Sequence, residues 1–422
     1  MSLKILSVVE TRSGLIKAAA ICDAIERFNR GSPPHSPIDH VLVHTGQFCN
    51  TRGFDLYFND LDLPQPQLFL DVAGAANPFE KTAKITERLA DVLMRERPAV
   101  VMVIGDVDLA LDCALVAKRV RLHCEGEEQS LVPALAHIEA GQRSFDRTSP
   151  QEVNCAIVDL LSDYLFTTEE SANRNLRQEG VSQDKIHFVG SIAVDTLLRH
   201  RARVGDSSIL SDLQLSNGSS IRPFALLSLQ HLSDSAGKGK LSRLQRAFSQ
   251  IAQHMPVVFP ASPAVMKSIH EADLGDYFID HFLDGPEPWD ARVRIRLIPP
   301  LGYFDFVRLM TAAKVVLADS RGVREESGVL GVPCITLSDH NSRPVTPKGG
   351  ANVVAEIDPE RIVDEFANAI QGTFSRPALP WGWDGRAAER IVDILWKDLA
   401  SGQPGKHPRE AKAKPVVSLT SM

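Results

Sequence analysis

Arg12 and Lys17 lie in Glu10-Thr11-Arg12-Ser13-Gly14-Leu15-Ile16-Lys17, directly after an apolar run and at an expected helix start. A helix N-terminus and two cations both favour negative charge, so this segment suits an anionic ligand. Three carboxylates follow other apolar runs: Asp106 in Gly105-Asp106-Val107-Asp108, Glu139 in Glu139-Ala140-Gly141-Gln142-Arg143, and Glu152 in Pro150-Gln151-Glu152-Val153-Asn154. One carboxylate after a strand is usually a helix cap. Three at neighbouring strand ends can be acid/base equipment, because burial and neighbours push their pKa values apart. In the second half, Asp319-Ser320-Arg321-Gly322-Val323-Arg324-Glu325-Glu326 opens a further helix. A hydroxyl and backbone amides there can hold phosphate, and a carboxylate in the first turns can hold a ribose diol. The plainer reading of that segment is a capping box.

Other chemistries lack their residues. Asp106-Val107-Asp108 is a literal Asp-x-Asp triplet, but no second ligand set accompanies it, so no metal is expected. No G-x-G-x-x-G, no G-x-x-x-x-G-K-[ST] and no H-E-x-x-H occurs, and no cofactor is expected. Nor does a serine nucleophile elbow occur.

Strand ends need strands. Continuous runs rich in Val, Ile and Leu recur at Leu3 to Val9, His40 to His44, Ala99 to Ile104, Ala134 to Ile138 and Asp163 to Thr167. They return at Phe224 to Leu229, Val257 to Pro260, Arg294 to Ile298, Lys314 to Ala318 and Pro333 to Leu337. Unbroken rather than alternating runs suit parallel strands buried on both faces. Helical patterns lie between them. The clearest begins at Asn77-Pro78-Phe79-Glu80, with an Asn cap, Pro at the first helical position and Glu three residues after the cap. Its residues Ile85, Leu89, Val92 and Leu93 share one face. Alternation of this kind through both halves predicts an α/β fold with mainly parallel sheets, whose ligands bind outside the carboxyl ends of the strands.

A chain of 422 residues exceeds the range of a single core and predicts two domains. We expect an N-terminal α/β domain over 1–190, a connection over 191–222, a nucleotide-binding α/β domain over 223–380 and a C-terminal helix over 381–400. A disordered tail is expected over 401–422, and residues 123–131 look like a surface insertion. Forty-six Lys and Arg against fifty-three Asp and Glu give a net charge of −7, which argues against a nucleic-acid footprint. No apolar run is long enough to span a membrane, and no signal peptide is evident. Six cysteines without a C-x-x-C pair suit reduced thiols and a cytoplasmic location.

Taken together, these segments resemble the UDP-N-acetylglucosamine 2-epimerase family over nearly all of residues 3 to 395. Its T-R-P-E-A-I-K is similar to Thr11 to Lys17, its G-D-T to Gly105-Asp106-Val107, its H-V-E-A-G-L-R to His137 to Arg143, and its P-E-E-x-N-R to Pro150 to Cys155. Ser162 to Ala172, Val189-Gly190-Ser191 and Asp195-Thr196-Leu197 are also family-like. So are Pro300-Leu301-Gly302-Tyr303, Asp319 to Glu326, Leu330 to Cys334 and Arg343 to Thr346. The resemblance implies two Rossmann-like doubly wound domains with a cleft between them, a GT-B-like arrangement, and a homodimer.

It also implies inversion at C2 of a UDP-linked N-acetylhexosamine, by loss of the C2 proton with departure of UDP and then re-addition; a hydrolysing branch adds water instead. By position, Asp106, Glu139 and Glu152 are the implied acid/base set. Arg12 and Lys17 are implied contacts of the pyrophosphate and sugar, Ser320 a β-phosphate donor, Glu326 a ribose clamp and Arg343 another nucleotide contact. The departures gather at the same place. The family's Pro-Glu is Ser13-Gly14, its T-G-Q-H ends in Phe48, and its P-E-E-x-N-R reads Gln151 and Cys155. T-L-H-R reads Ser228-Leu229-Gln230-His231, and a one-residue shift on a strand turns a side chain to the other face. H-P-R is Ser262-Pro263-Ala264, D-S-G-G is Asp319-Ser320-Arg321-Gly322, and T-E-R-P is Asn341-Ser342-Arg343-Pro344. Arg321 either crowds the phosphate or supplies a replacement cation. The expectation is a sugar-nucleotide 2-epimerase using a UDP-sugar. The alternatives are a relative that binds a sugar nucleotide with altered or no catalysis, and, on fold analogy alone, a glycosyltransferase.

Overall fold

The structure, a computed structural model, describes residues 3–31, 37–46, 52–105, 107–122, 131–229, 237–272, 274, 279–280, 295–337, 352–374 and 379–400. Asp106, Gln230, His231 and Arg343 lie outside the described residues, as do Phe48, Asn341, Ser342, the stretch 123–130 and the expected tail 401–422.

Every apolar run named above forms a strand. The first sheet contains β1 (Leu3–Val9), β2 (Ile38–His44), β3 (Leu68–Phe69), β4 (Val100–Ile104), β5 (Ala134–Ile138), β6 (Tyr164–Thr167) and β7 (Ile186–Phe188). Its order is β3-β2-β1-β4-β5-β6-β7, with all pairs parallel. The second contains β8 (Ala225–Ser228), β9 (Val257–Pro260), β10 (Ile279–Asp280), β11 (Ile295–Ile298), β12 (Val315–Ala318), β13 (Cys334–Thr336) and β14 (Asn352–Val354). Its order is β10-β11-β9-β8-β12-β13-β14, again all parallel. These are two Rossmann-like doubly wound sheets. Strand order reverses between β1 and β4 in one and between β8 and β12 in the other, the places where such sheets open a ligand crevice.

The unbroken apolar runs have a physical cause. In β4, Val100, Met102 and Ile104 pack into one core cluster while Val101 and Val103 pack into another on the opposite face. The helix Pro78–Glu96 covers that second face with Ile85, Leu89, Val92 and Leu93, all buried. Asn77 caps it by accepting from the Glu80 amide at 3.0 Å, as the sequence predicts. The larger cluster is shared by both sheets, joining Ile5, Met102 and Ala136 to Leu226, Val258 and Val316.

Residues 191–222, read as a connection, hold the helix Ile192–Val204 and a short helix Ile209–Asp212. The first packs against Arg12–Gly31 on one side and the second half on the other. The final helix, Ala387–Ala400, crosses back to lie against Arg12–Gly31. Its return is pinned at Gly190. There Arg390 donates to the Val189 and Gly382 carbonyls at 2.9 and 3.3 Å, and Trp383 Nε1 donates to the Thr168 carbonyl at 3.1 Å. Gly190 has φ +97°, and a Cβ placed on it would lie 1.9 Å from the Gly382 carbonyl oxygen. A left-handed conformation alone costs an L-residue about 1–2 kcal/mol, and here a backbone collision is added. Gly190→Ala is therefore expected to lower unfolding stability by more than about 2 kcal/mol, read by chemical denaturation.

Candidate active site at the facing strand ends

Thr11 starts the helix Arg12–Gly31, its Oγ1 accepting from the Gly14 amide at 3.2 Å. One and a half turns on, Lys17 points across the β1–β4 switch. Its Nζ donates to Glu139 Oε2 at 2.7 Å, and both side chains are only 10% exposed. Gly105, with φ +86°, brings the end of β4 against the same helix: a Cβ there would meet Gly14 Cα at 3.5 Å and Lys17 Nζ at 3.8 Å. The segment that leads into Asp106 therefore runs beside the ammonium of Lys17.

Glu139 follows β5 with φ +67°, a left-handed conformation that a side-chain-bearing residue seldom adopts. Burial by itself would raise its carboxyl. The Lys17 ammonium and the Arg321 guanidinium outweigh burial and hold it below the usual carboxylate range. Glu152 sits elsewhere. It lies in the first turn of the helix Pro150–Leu161, where its Oε2 accepts from the Ser144 amide at 2.6 Å and from Ser144 Oγ at 2.9 Å. Its partners belong to the 144–152 loop, not to the Lys17–Glu139 pair. Asn154 of the same helix donates to Asp108 Oδ1 at 2.6 Å, tying it to the segment after β4.

The second sheet supplies the opposite wall. Ser320 caps the helix Arg321–Leu330, its Oγ accepting from the Val323 amide at 3.4 Å. A Cβ on Gly322 would meet nothing within 4 Å, so the first turn of that helix has open space beside it among the described residues. Arg321 donates through Nε to Glu325 Oε1 at 2.7 Å, and Ser191, from the end of the first sheet, donates to Glu325 Oε2 at 3.1 Å. A buried hydrogen bond thus joins the two walls. Arg321 Nη2 is buried with no hydrogen-bond partner among the described residues. Burial works against the charge of Arg321, but Glu325, Glu139 and Glu169 more than restore it.

Glu326 is 4% exposed and accepts from Tyr303 Oη at 2.8 Å. Burial pushes its carboxyl up to about 7; the tyrosine hydrogen bond pulls the other way without compensating. The ring of Tyr303 lies 6.3 Å from that of Tyr57, over which the Arg12 guanidinium stands at 5.7 Å. Arg12, Tyr57, Tyr303 and Glu326 form a continuous path across the cleft.

The structure therefore gathers Arg12, Lys17, Glu139, Ser320, Arg321, Gly322 and Glu326 around the junction of the two sheets and sets Glu152 on a neighbouring helix. Sequence reasoning did not single out Tyr57, Ser191, Tyr303 or Glu325. Tyr303, Ser191 and Glu325 stood in segments that resembled the family, and Tyr57 carried no signal in the sequence.

The family model described as UDP-N-acetylglucosamine 2-epimerase matches residues 33–396. The UDP-N-acetylglucosamine 2-epimerase of Methanocaldococcus jannaschii is 30% identical over 406 residues, covering 93% of this chain and 99% of that protein. The UDP-2,3-diacetamido-2,3-dideoxy-D-glucuronate 2-epimerase of Pseudomonas aeruginosa is 28% identical over 398 residues, covering 94% and 100%. Among solved structures, the M. jannaschii enzyme in complex with UDP-GlcNAc and UDP aligns with a TM-score of 0.78 at 31% identity, over 94% of this chain and 100% of that one.

Proposed function

This chain belongs to the UDP-N-acetylglucosamine 2-epimerase family and is a sugar-nucleotide 2-epimerase, and from that premise we propose that Lys17 and Glu139 face the reacting end of a UDP-linked N-acetylhexosamine. The observation that carries the assignment is their 2.7 Å contact at the end of β5, opposite the first turn of Arg321–Leu330. The pyrophosphate lies over that first turn, with Ser320, Arg321, Gly322, Arg12 and Lys17 as its donors, and the ribose reaches Glu326. Arg343, Gln230 and His231 complete the substrate contacts.

The chemistry then follows from the groups. The C2–H bond breaks, its proton passes to a carboxylate, and its electrons form the C1–C2 double bond as the C1–O bond breaks and UDP departs. Fixed cations receive the charge that develops on UDP. Protonation of C2 on the opposite face, with return of UDP to C1, gives the epimer. Asp106, Glu139 and Glu152 are the acid/base set for the two faces. Once the pyrophosphate draws on Lys17, Glu139 loses part of the charge that holds its carboxyl down and becomes a stronger base. Incubation with UDP-N-acetylglucosamine should give the UDP-linked manno epimer by proton NMR. Free sugar as the product would place the chain in the hydrolysing branch, and an inert nucleotide would refute the assignment. Arg321, a cation where the family has glycine, favours a sugar that itself carries a carboxylate. Faster turnover of a UDP-diacetamido-glucuronate than of UDP-N-acetylglucosamine would support that narrower substrate.

Two accompanying features belong to the same reading. Val153, Ile157 and Leu160 lie on one face of Pro150–Leu161 at 41, 36 and 77% exposure, beside Leu115 at 42% on the adjoining helix Val107–Arg119. That apolar strip is the surface for a second copy of the chain. Leu160→Glu is expected to halve the mass seen by light scattering; an unchanged mass would exclude this face. A cytoplasmic location suits free thiols at Cys22, Cys113, Cys155 and Cys334. No helix among the described residues is long and apolar enough to cross a membrane.

A further inference from the structure

Three hydrogen bonds converge on one buried carboxylate beneath Glu139. Asp159, on the inward face of Pro150–Leu161, is 2% exposed. Its Oδ1 lies 2.6 Å from His137 Nδ1. Its Oδ2 accepts from the Gly141 amide at 3.0 Å and pairs with Arg143 Nη1 at 2.8 Å. The partners fall two residues before Glu139, two after it and four after it. From the far side, Asn175 Nδ2 donates to the Gly141 carbonyl at 2.9 Å, and the Ala140 amide donates to Phe166 at 3.0 Å. Between these ties Glu139 keeps φ +67° and Gly141 φ +77°. A Cβ on Gly141 would lie 2.6 Å from the Ala172 carbonyl oxygen, so the turn is also packed tightly from below. A left-handed non-glycine residue costs about 1–3 kcal/mol and persists only where its surroundings over-determine it.

We propose that Asp159 is a positioning residue for the reaction: by holding His137, Gly141 and Arg143 it fixes the turn that aims Glu139 at the sugar. The inference rests on the assignment of Glu139 as an acid/base group. Asp159 touches no substrate and moves no proton. The Gly141 amide and the Arg143 guanidinium can only donate to Asp159, and His137 Nδ1 donates in the tautomer that carries its proton there; a carboxamide removes the negative charge that pairs with Arg143 and turns an NH₂ toward one of the three.

Asp159→Asn is the test, read by kcat, KM, incorporation of solvent deuterium at C2, and UDP-induced thermal shift. A kcat lower by about 10²-fold is expected, since misplacing a reacting group by about 1 Å costs that much. Deuterium incorporation should fall in parallel, while KM moves less than about threefold and the UDP-induced shift stays as in the wild type. A merely structural role would lower UDP binding and exchange together, and either that result or an unaltered kcat overturns the proposal. Should the variant not fold, His137→Ala removes one tie alone, and the same split between exchange and UDP binding is required of it. Wild-type protein and Glu139→Gln run alongside. A wild type that fails to exchange, or a Glu139→Gln variant that exchanges normally, refutes the assignment of Glu139 and this proposal with it. Exchange by the wild type, its loss in Glu139→Gln and its retention in Asp159→Asn would refute this proposal alone.

Discussion

Glu139→Gln is expected to lower kcat by about 10²- to 10⁴-fold, the range for loss of a positioned general acid or base. The substitution keeps shape, and an amide oxygen can still accept from Lys17 Nζ, now 2.7 Å from Glu139 Oε2. It cannot take a proton near neutral pH. Because Lys17 keeps its charge, affinity for UDP should hold or rise, since the cation no longer faces a competing carboxylate. The split between lost turnover and retained UDP binding, read by steady-state kinetics beside calorimetry, separates an acid/base role from a supporting one. If turnover survives, Glu139 is a counter-ion for Lys17 and the proton leaves through Asp106 or Glu152.

Glu326→Gln should change the pH dependence of stability. The carboxyl of Glu326 sits at about 7 in the folded chain against 4.5 ordinarily, because burial penalises its charge. Between those values the folded chain holds a proton that the unfolded chain has lost, so stability falls as pH rises from about 4.5 to 7. Below that window the group contributes no penalty; above it the penalty is constant at about 3 kcal/mol. Gln keeps the acceptor for Tyr303 Oη and removes the titration. Wild type and variant should therefore unfold alike near pH 4, and the variant should be the more stable near pH 8, with urea titrations as the measurement. The same substitution should weaken UDP by about tenfold or more at pH 8, where ribose hydroxyls would otherwise donate to a charged carboxylate. A stability difference that does not vary with pH would mean that Glu326 titrates alike in the folded and the unfolded chain.

The parts of this molecule that the sequence made legible are those with a local cause. Runs such as Val100–Ile104 are apolar throughout because alternate side chains enter two separate cores. The Asn77 cap and the Ile85–Leu93 face declare a helix within a few turns of chain. Leu68–Phe69, Ile186–Phe188, Ile279–Asp280 and Asn352–Val354 left no such mark, being strands of only two or three residues. Strand-end residues such as Lys17 and Glu139 could be nominated from their position after apolar runs, but their contact, 122 residues apart in sequence, has no local signature. The same holds for Ser191 with Glu325, 134 residues apart. Glu326 shows the limit most clearly. As a residue type it reads as an accessible carboxylate, and only the packing of Tyr303 and Tyr57 over it shows a buried one whose charge is costly.

In the proposed reaction this cleft removes and returns the proton at C2 of a UDP-linked N-acetylhexosamine. Its most direct test is mass spectrometry of UDP-N-acetylglucosamine recovered after incubation with the protein in deuterium oxide. One deuterium is expected to enter at C2 in recovered substrate and in its manno epimer alike. Folded protein whose melting temperature rises with UDP, yet which leaves every C2 position unlabelled, would contradict it.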